Sequence, residues 1–166
     1  MKKPRLTTKL ACNVVRRNSK LDRTLAERFT ADRLNEAIAA GDFPCAPETV
    51  RGRSRYFEPD DMTALWLFLE LMDDGFRPDA AGRIACAVAN VARAYPDAPA
   101  VTYVRDYFTG HGAAYPAFVV PESKDWNSVY FGGTDIRSAM TFRISKTRDL
   151  IAYYTNEATS EYGEED

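Results

Sequence analysis

A chain of 166 residues, 45% hydrophobic and 28% charged, has apolar side chain enough for one domain or two small ones. No apolar run is long enough to span a bilayer, because the longest, Met62 to Met72, is short and is interrupted by Thr63 and Glu70. The basic N-terminus is followed by no apolar stretch of the secretory kind, so no membrane partner is expected and the cytoplasm is the expected compartment.

The net charge of −2 conceals an uneven distribution. Residues 1–33 hold ten Lys or Arg and three Asp or Glu, a surplus of seven positive charges that leaves the remainder at −9. A basic end on an acidic body suits a localised nucleic-acid face, and the plainer alternative is a basic tail with no partner. Cys12, Cys45 and Cys86 are odd in number, widely spaced and form no CxxC pair. They read as three reduced thiols, with Cys86 packed on a helix face. The single histidine, His111, gives metal binding little support, so neither metal nor cofactor is expected.

In chain order, residues 1–20 read as a basic N-terminal arm, irregular or loosely helical. It carries Lys2 and Lys3, and Leu10, Val14 and Val15 form one short apolar stripe. Leu21 to Arg28 reads as a short helix. Phe29 precedes Thr30, a good N-cap, and Ala31 to Ala40 forms a second helix with Leu34, Ala37 and Ile38 on its apolar side and Gly41 at its end. Pro44 and Pro47 break the chain before Arg51 to Phe57, where Gly52 and alternating side chains suit a small hairpin. Glu58-Pro59-Asp60-Asp61 is a strong helix start. The following run, Met62 to Met72, is apolar on nearly every side and must be buried all round.

Asp73 to Pro78 reads as a turn, and Asp79 to Tyr95 as a helix with Ile84, Val88, Val91 and Ala92 inward. Pro96 and Pro99 mark a boundary. Short β-prone runs follow at Val101 to Phe108, Ala117 to Val120, Ser128 to Phe131 and Met140 to Ile144. Ser145 to Glu157 reads as a helix, with a hairpin strand at Leu150 to Thr155 as the alternative. Residues 158–166 form an acidic, frayed tail.

Major-groove reading needs a helix with polar side chains at its start and cations against the phosphates. The helix from Thr30 presents Arg33, suited to guanine, and Asn35, suited to adenine. Arg51, Arg53 and Arg55 alternate, so a hairpin would carry all three on one face with Tyr56 beside them. Three like charges there call for an anion, and a phosphate backbone is the natural one. One arginine is expected to be structural: Arg55, with Phe57, would tie the hairpin to Asp61.

The order of these features carries a resemblance. A helix runs into Gly41-Asp42-Phe43-Pro44, Arg51-Gly52-Arg53-Ser54-Arg55-Tyr56-Phe57 follows, and Asp61-Met62 opens an apolar helix that ends in Asp74-Gly75-Phe76. Over about residues 21–92 this resembles the MerR-type winged helix-turn-helix regulators. The resemblance implies sequence-specific binding of double-stranded DNA, usually as a homodimer, with transcriptional control as the outcome and Arg55 as the carried-over wing residue. Three departures stand out. The first two helices are unusually close, no long dimerising coiled coil follows, and the metal-sensing members' cysteines have no counterpart.

The expected fold is therefore α+β. Residues 21–95 would form a winged helix-turn-helix, mostly α with a small β wing, and residues 100–157 a small β-rich α+β domain of unassigned role. The expected DNA contacts are Thr30, Arg33, Asn35, Arg51, Arg53, Arg55, Tyr56, Lys2 and Lys3. The aromatics of the C-terminal region suit the core of a small sheet, and leave room there for a small-molecule or protein effector. No nucleophile, base and orienter fall into a recognisable pattern, so no enzyme is expected. The competing readings are a protein-protein interaction adaptor working through Met62 to Met72 and the acidic C-terminus, and an excisionase-like architectural DNA binder.

Overall fold

A computed structural model describes residues 4–17, 29–49 and 51–162. Lys2, Lys3, the expected helix Leu21 to Arg28 and the end of the acidic tail lie outside the described residues.

Local signals set the first helices. Thr30 caps α2 (Ala31–Ala39), its hydroxyl accepting from the Arg33 amide at 3.3 Å. Glu58 precedes α3 (Pro59–Asp73), where Pro59 occupies the first turn and the Asp61 carboxylate accepts from the Glu58 amide at 2.9 Å. Gly41 and Gly75, at φ +80° and +91°, end α2 and α3 in the left-handed conformation that lets the chain fold back on the last turn. The Asp42 amide donates to the Ala37 carbonyl, and the Phe76 amide to that of Leu71.

Helix α4 (Pro78–Ala94) follows, then three strands, β3 (Val101–Asp106), β4 (Gly112–Pro116) and β5 (Ile136–Phe142), and finally α5 (Ile144–Tyr162). The strands form an antiparallel sheet in the order β4-β3-β5. The fold is mixed α+β. No described helix is long and apolar enough to cross a membrane.

The described part of the N-terminal segment, residues 4–17, is not irregular. Leu6–Thr7 is a strand, β1, and Thr8–Arg17 is a helix, α1, that buries Leu10, Ala11, Cys12, Val14 and Val15. The apolar stripe noted in the sequence wins over its polar interruptions because those side chains have a core to enter. That core is one contiguous cluster. It runs from Leu6 through α1, α2 and all of α3 to Val101, Ile144, Ile151 and Ala158. The expected boundary near residue 100 is thus a corner rather than a division between cores. There the Arg148 guanidinium of α5 donates to the carbonyls of Ala92 and Pro96, both at 2.7 Å, and so caps the end of α4.

Helix α3 is sealed as its composition requires, with Met62 through Leu69 and Leu71 buried. Trp66 stacks on Tyr154 of α5, ring centres 6.2 Å apart. Of the two surfaces on which the adaptor reading relies, the Met62 to Met72 helix is therefore spent inside the chain's own core.

Two strand expectations are corrected. Ala117–Val119 forms a short 3-10 turn and Ser128 to Phe131 contributes only an isolated bridge from Phe131 to Thr134. Pro116 and Pro121 flank the first segment and Gly132-Gly133 follows the second, which leaves neither room for a ladder. The sheet's third strand is instead Gly-Ala-Ala-Tyr-Pro at 112–116, nearly devoid of β-formers.

The cysteine reading is also corrected. Cys45 and Cys86 are joined in a disulfide, their Cα atoms 5.6 Å apart, and Cys12 alone is free and buried. The approach of the two backbones rests on Gly82. A Cβ there would lie 1.6 Å from the Asp42 carbonyl oxygen, so the loop after α2 lies directly on α4. Cys86 is one helical turn further on, under Cys45.

Candidate nucleic-acid interface

The recognition-helix expectation falls on α2, and the structure shows what its residues do. Leu34 faces the core, whereas Asp32, Arg33, Asn35 and Glu36 are exposed. The Thr30 hydroxyl is engaged in the cap, which makes its first duty structural. Arg33 is paired with Glu36 at 3.1 Å, with both side chains about two-thirds exposed. A surface pair of this spacing contributes about 0.3–0.5 kcal/mol, so it yields readily to a stronger acceptor. Asn35 stands exposed on the same helix.

The wing is built differently from the expectation. Residues 51–55 do not form a two-stranded hairpin of their own. The Thr49 hydroxyl donates to the Arg53 carbonyl at 3.0 Å across a tight turn at Arg51-Gly52. The strand that leaves it, β2 (Tyr56–Phe57), pairs antiparallel with β1, Leu6 opposite Phe57 and Thr7 opposite Tyr56. A hairpin of so few residues is marginal alone, and the N-terminal strand supplies partners that a local return strand cannot. Phe57 turns inward and is fully buried, whereas Tyr56 faces outward and is 39% exposed.

This pairing brings the basic N-terminus to the turn. Arg5 reaches Glu58 at 3.2 Å, and the Thr8 hydroxyl lies 3.5 Å from the Arg55 carbonyl. Arg5 and the exposed Lys9 thus stand on the segment that flanks the arginine turn. Nothing in the sequence marked β1 as the partner of Tyr56–Phe57, since a two-residue strand has no periodicity to read.

The arginines divide by what they meet. Arg5, Arg17, Arg33, Arg77, Arg83 and Arg93 each lie against a carboxylate. Arg51 and Arg53 are exposed and have no acidic partner among the described residues. Arg55 does not tie the turn to Asp61. Asp61 is held by Arg93 at 3.0 Å and by the Glu58 amide, which leaves its carboxylate occupied. The Nε and Nη1 atoms of Arg55 are instead shut from solvent without an acceptor. A buried donor left without an acceptor is unfavourable by about 1–3 kcal/mol.

The site therefore assembles Arg51, Arg53, Arg55 and Tyr56 on one short segment, with α1 and β1 at its flank. Among the described residues, no group of three or more His, Cys, Asp or Glu side chains converges as a metal site would require. No protein-family model matches the chain, and no curated protein does.

Proposed function

We propose that this chain is a sequence-specific double-stranded DNA-binding transcriptional regulator of bacterial or phage type, acting on the nucleoid and binding its operator as a homodimer. Helix α2 would enter the major groove with Arg33 and Asn35, and the Arg51 to Arg55 turn would lie along the phosphates. The observation that carries the reading is the turn itself. It holds three arginines in five residues with no carboxylate partner among the described residues, whereas Arg5, Arg33 and Arg93 each lie against one. Positive charge held on one short turn without a carboxylate partner suits a phosphate backbone. The winged helix-turn-helix assignment and the homodimer rest on the resemblance in motif order, with β1 standing where a second wing strand would be.

The test is binding to genomic fragments, followed by fluorescence anisotropy on the selected site. Each phosphate contact contributes about 0.9 to the slope of log K against log salt. The double variant Arg51→Ala/Arg53→Ala is expected to lower that slope by about 2 and to weaken all duplexes alike. Asn35→Ala is expected to reduce discrimination between sites while leaving the slope unchanged. Unchanged affinity and slope in the double variant would remove the turn from the interface.

A further inference from the structure

A second concave surface lies away from the arginine turn, between α4 and the β3–β4 hairpin. Its volume is about 590 Å³, within the range of pockets that hold small molecules. One wall is a stripe of α4 at helical spacing, Ala80, Arg83, Ile84 and Ala87, and the other is the hairpin. The space exists because the facing side chains are small. Gly112 has no Cβ, and the Tyr103 ring occupies its place, 2.2 Å from where that atom would be. Tyr103 thereby lies flat across the neighbouring strand and becomes part of the cleft wall.

Apart from Tyr103, the ionisable side chains of the cleft are all basic. Arg83, Arg105 and His111 line it, and no carboxylate does. Asp79 is 3.8 Å from Arg83 across exposed side chains, a weak claim on that guanidinium. The side chains of Arg105 and His111 have no hydrogen-bond or ionic partner among the described residues. The nearest acidic group on the hairpin, Asp106, is fully employed. Its carboxylate accepts from the amides of Phe108, Thr109 and Asp135 and from the Thr109 hydroxyl. Those bonds lower its pKa from the ordinary aspartate value, the Thr109 amide first and its hydroxyl next. They also fix the hairpin tip from which His111 projects, and Asp106 spends its charge on the loop rather than on the cations.

We propose that this cleft binds a small anionic ligand, a carboxylate or phosphate group carried on a flat or apolar body. The anion would lie among Arg83, Arg105 and His111. The body would rest on Ile84, Ala87 and the Tyr103 ring, where a low-dielectric floor strengthens the charge interaction above it. A concave cleft between a helix and a hairpin admits a small molecule more readily than the convex backbone of a duplex. The assignment is independent of the DNA reading, and each can fail alone.

His111 is the only histidine, so its imidazole proton resonances identify themselves. The experiment follows them by proton NMR in the full chain while adenosine monophosphate, benzoate or inorganic phosphate is added at constant ionic strength. The expected result is a saturable shift with adenosine monophosphate or benzoate. The probe that saturates assigns phosphate or carboxylate as the head group. Arg83→Gln/Arg105→Gln, at exposed positions, is expected to keep the fold and abolish the saturable shift. Ala87→Leu fills the floor and leaves Arg83, Arg105 and His111 in place, so it should weaken the aromatic probes and spare inorganic phosphate. Three results overturn the proposal: a response to all three probes no different from that to sodium chloride, a saturable shift that survives the double variant, or a response to duplex DNA alone.

Discussion

Replacing Gly82 with alanine sets two physical effects against each other. In an unobstructed helix interior the change stabilises by about 0.5–1 kcal/mol, because glycine loses more backbone freedom on folding. In α4 the added Cβ would stand 1.6 Å from the Asp42 carbonyl oxygen, 2.8 Å from its carbon and 3.3 Å from the Phe43 Cα. Relief requires the loop to retreat by roughly 1.5–2 Å to reach ordinary contact distance. It is held at both ends of that stretch. Phe43 is buried with its ring 5.0 Å from that of Phe68, and Cys45 is bonded to Cys86. Overpacking against a fixed backbone costs about 1–3 kcal/mol and occasionally more, so the net effect of Gly82→Ala is a loss of about 2 kcal/mol. For a chain of this size that lowers the melting temperature by roughly 4–8 °C. Urea and thermal denaturation, followed by tryptophan fluorescence and circular dichroism, measure it. Asn90→Ala, at an exposed position of the same helix, serves as the control and should stay within about 0.5 kcal/mol of wild type. A Gly82→Ala variant that melts at or above the wild-type temperature would show that α4 and the loop after α2 do not touch as described.

Four further outcomes are expected. The Cys45–Cys86 bond spans 41 residues, so Cys45→Ser/Cys86→Ser should lose about 3–4 kcal/mol in denaturant titrations. Thiol titration of unreduced, unfolded protein should find only Cys12. In the folded protein burial pushes that thiol up to about 12 and should keep it unreactive towards iodoacetamide. Burial raises the Glu70 pKa above its usual value, opposed by the Trp66 indole, which donates to its carboxylate at 2.9 Å. The folded state then holds more protons than the unfolded state between the ordinary and the raised pKa, so stability falls as pH rises through that window. Glu70→Gln, which keeps an acceptor for Trp66, should flatten this slope and be the more stable variant at neutral pH in denaturation curves. Arg148→Lys offers a point charge in place of the two-pronged cap on α4 and should cost about 1 kcal/mol in the same assay, whereas no loss would mean that the cap is idle.

Legibility in the sequence followed how local each determinant is. Thr30, Gly41, Glu58-Pro59 and Gly75 act on their own turn, and the helices α2 and α3 begin and end where those residues stand. The sealed character of α3 was readable because composition alone decides it. What depended on distant partners was not readable. Tyr56–Phe57 resembled half of a hairpin, but its partner is fifty residues earlier in the chain. The Gly-Ala-Ala-Tyr-Pro strand is β by virtue of its neighbour Val101–Asp106, not of its own side chains. The disulfide joins residues that only the close approach at Gly82 brings together, although an isolated glycine inside an otherwise apolar helix was a signal of such contact. The arginine turn was visible as a cluster. That Asp61 belongs to Arg93 and not to Arg55 depends on α4, which the local pattern does not contain.

The pairing of the two ends of the fold has a consequence for how the chain is made. Helix α1 lies against α5, with the Arg17 guanidinium on the carboxylates of Glu157 and Glu161, and Val14, Val15, Ile151 and Ala158 in one core. Synthesis is vectorial, so α1 emerges well over a hundred residues before its cover. Until α5 leaves the ribosome, the apolar sides of α1 and α3 have no lid and are open to other chains or to chaperones. A fragment ending at the corner near residue 96 would be left permanently in that state. Its behaviour in a binding assay would report exposed core rather than the arginine turn.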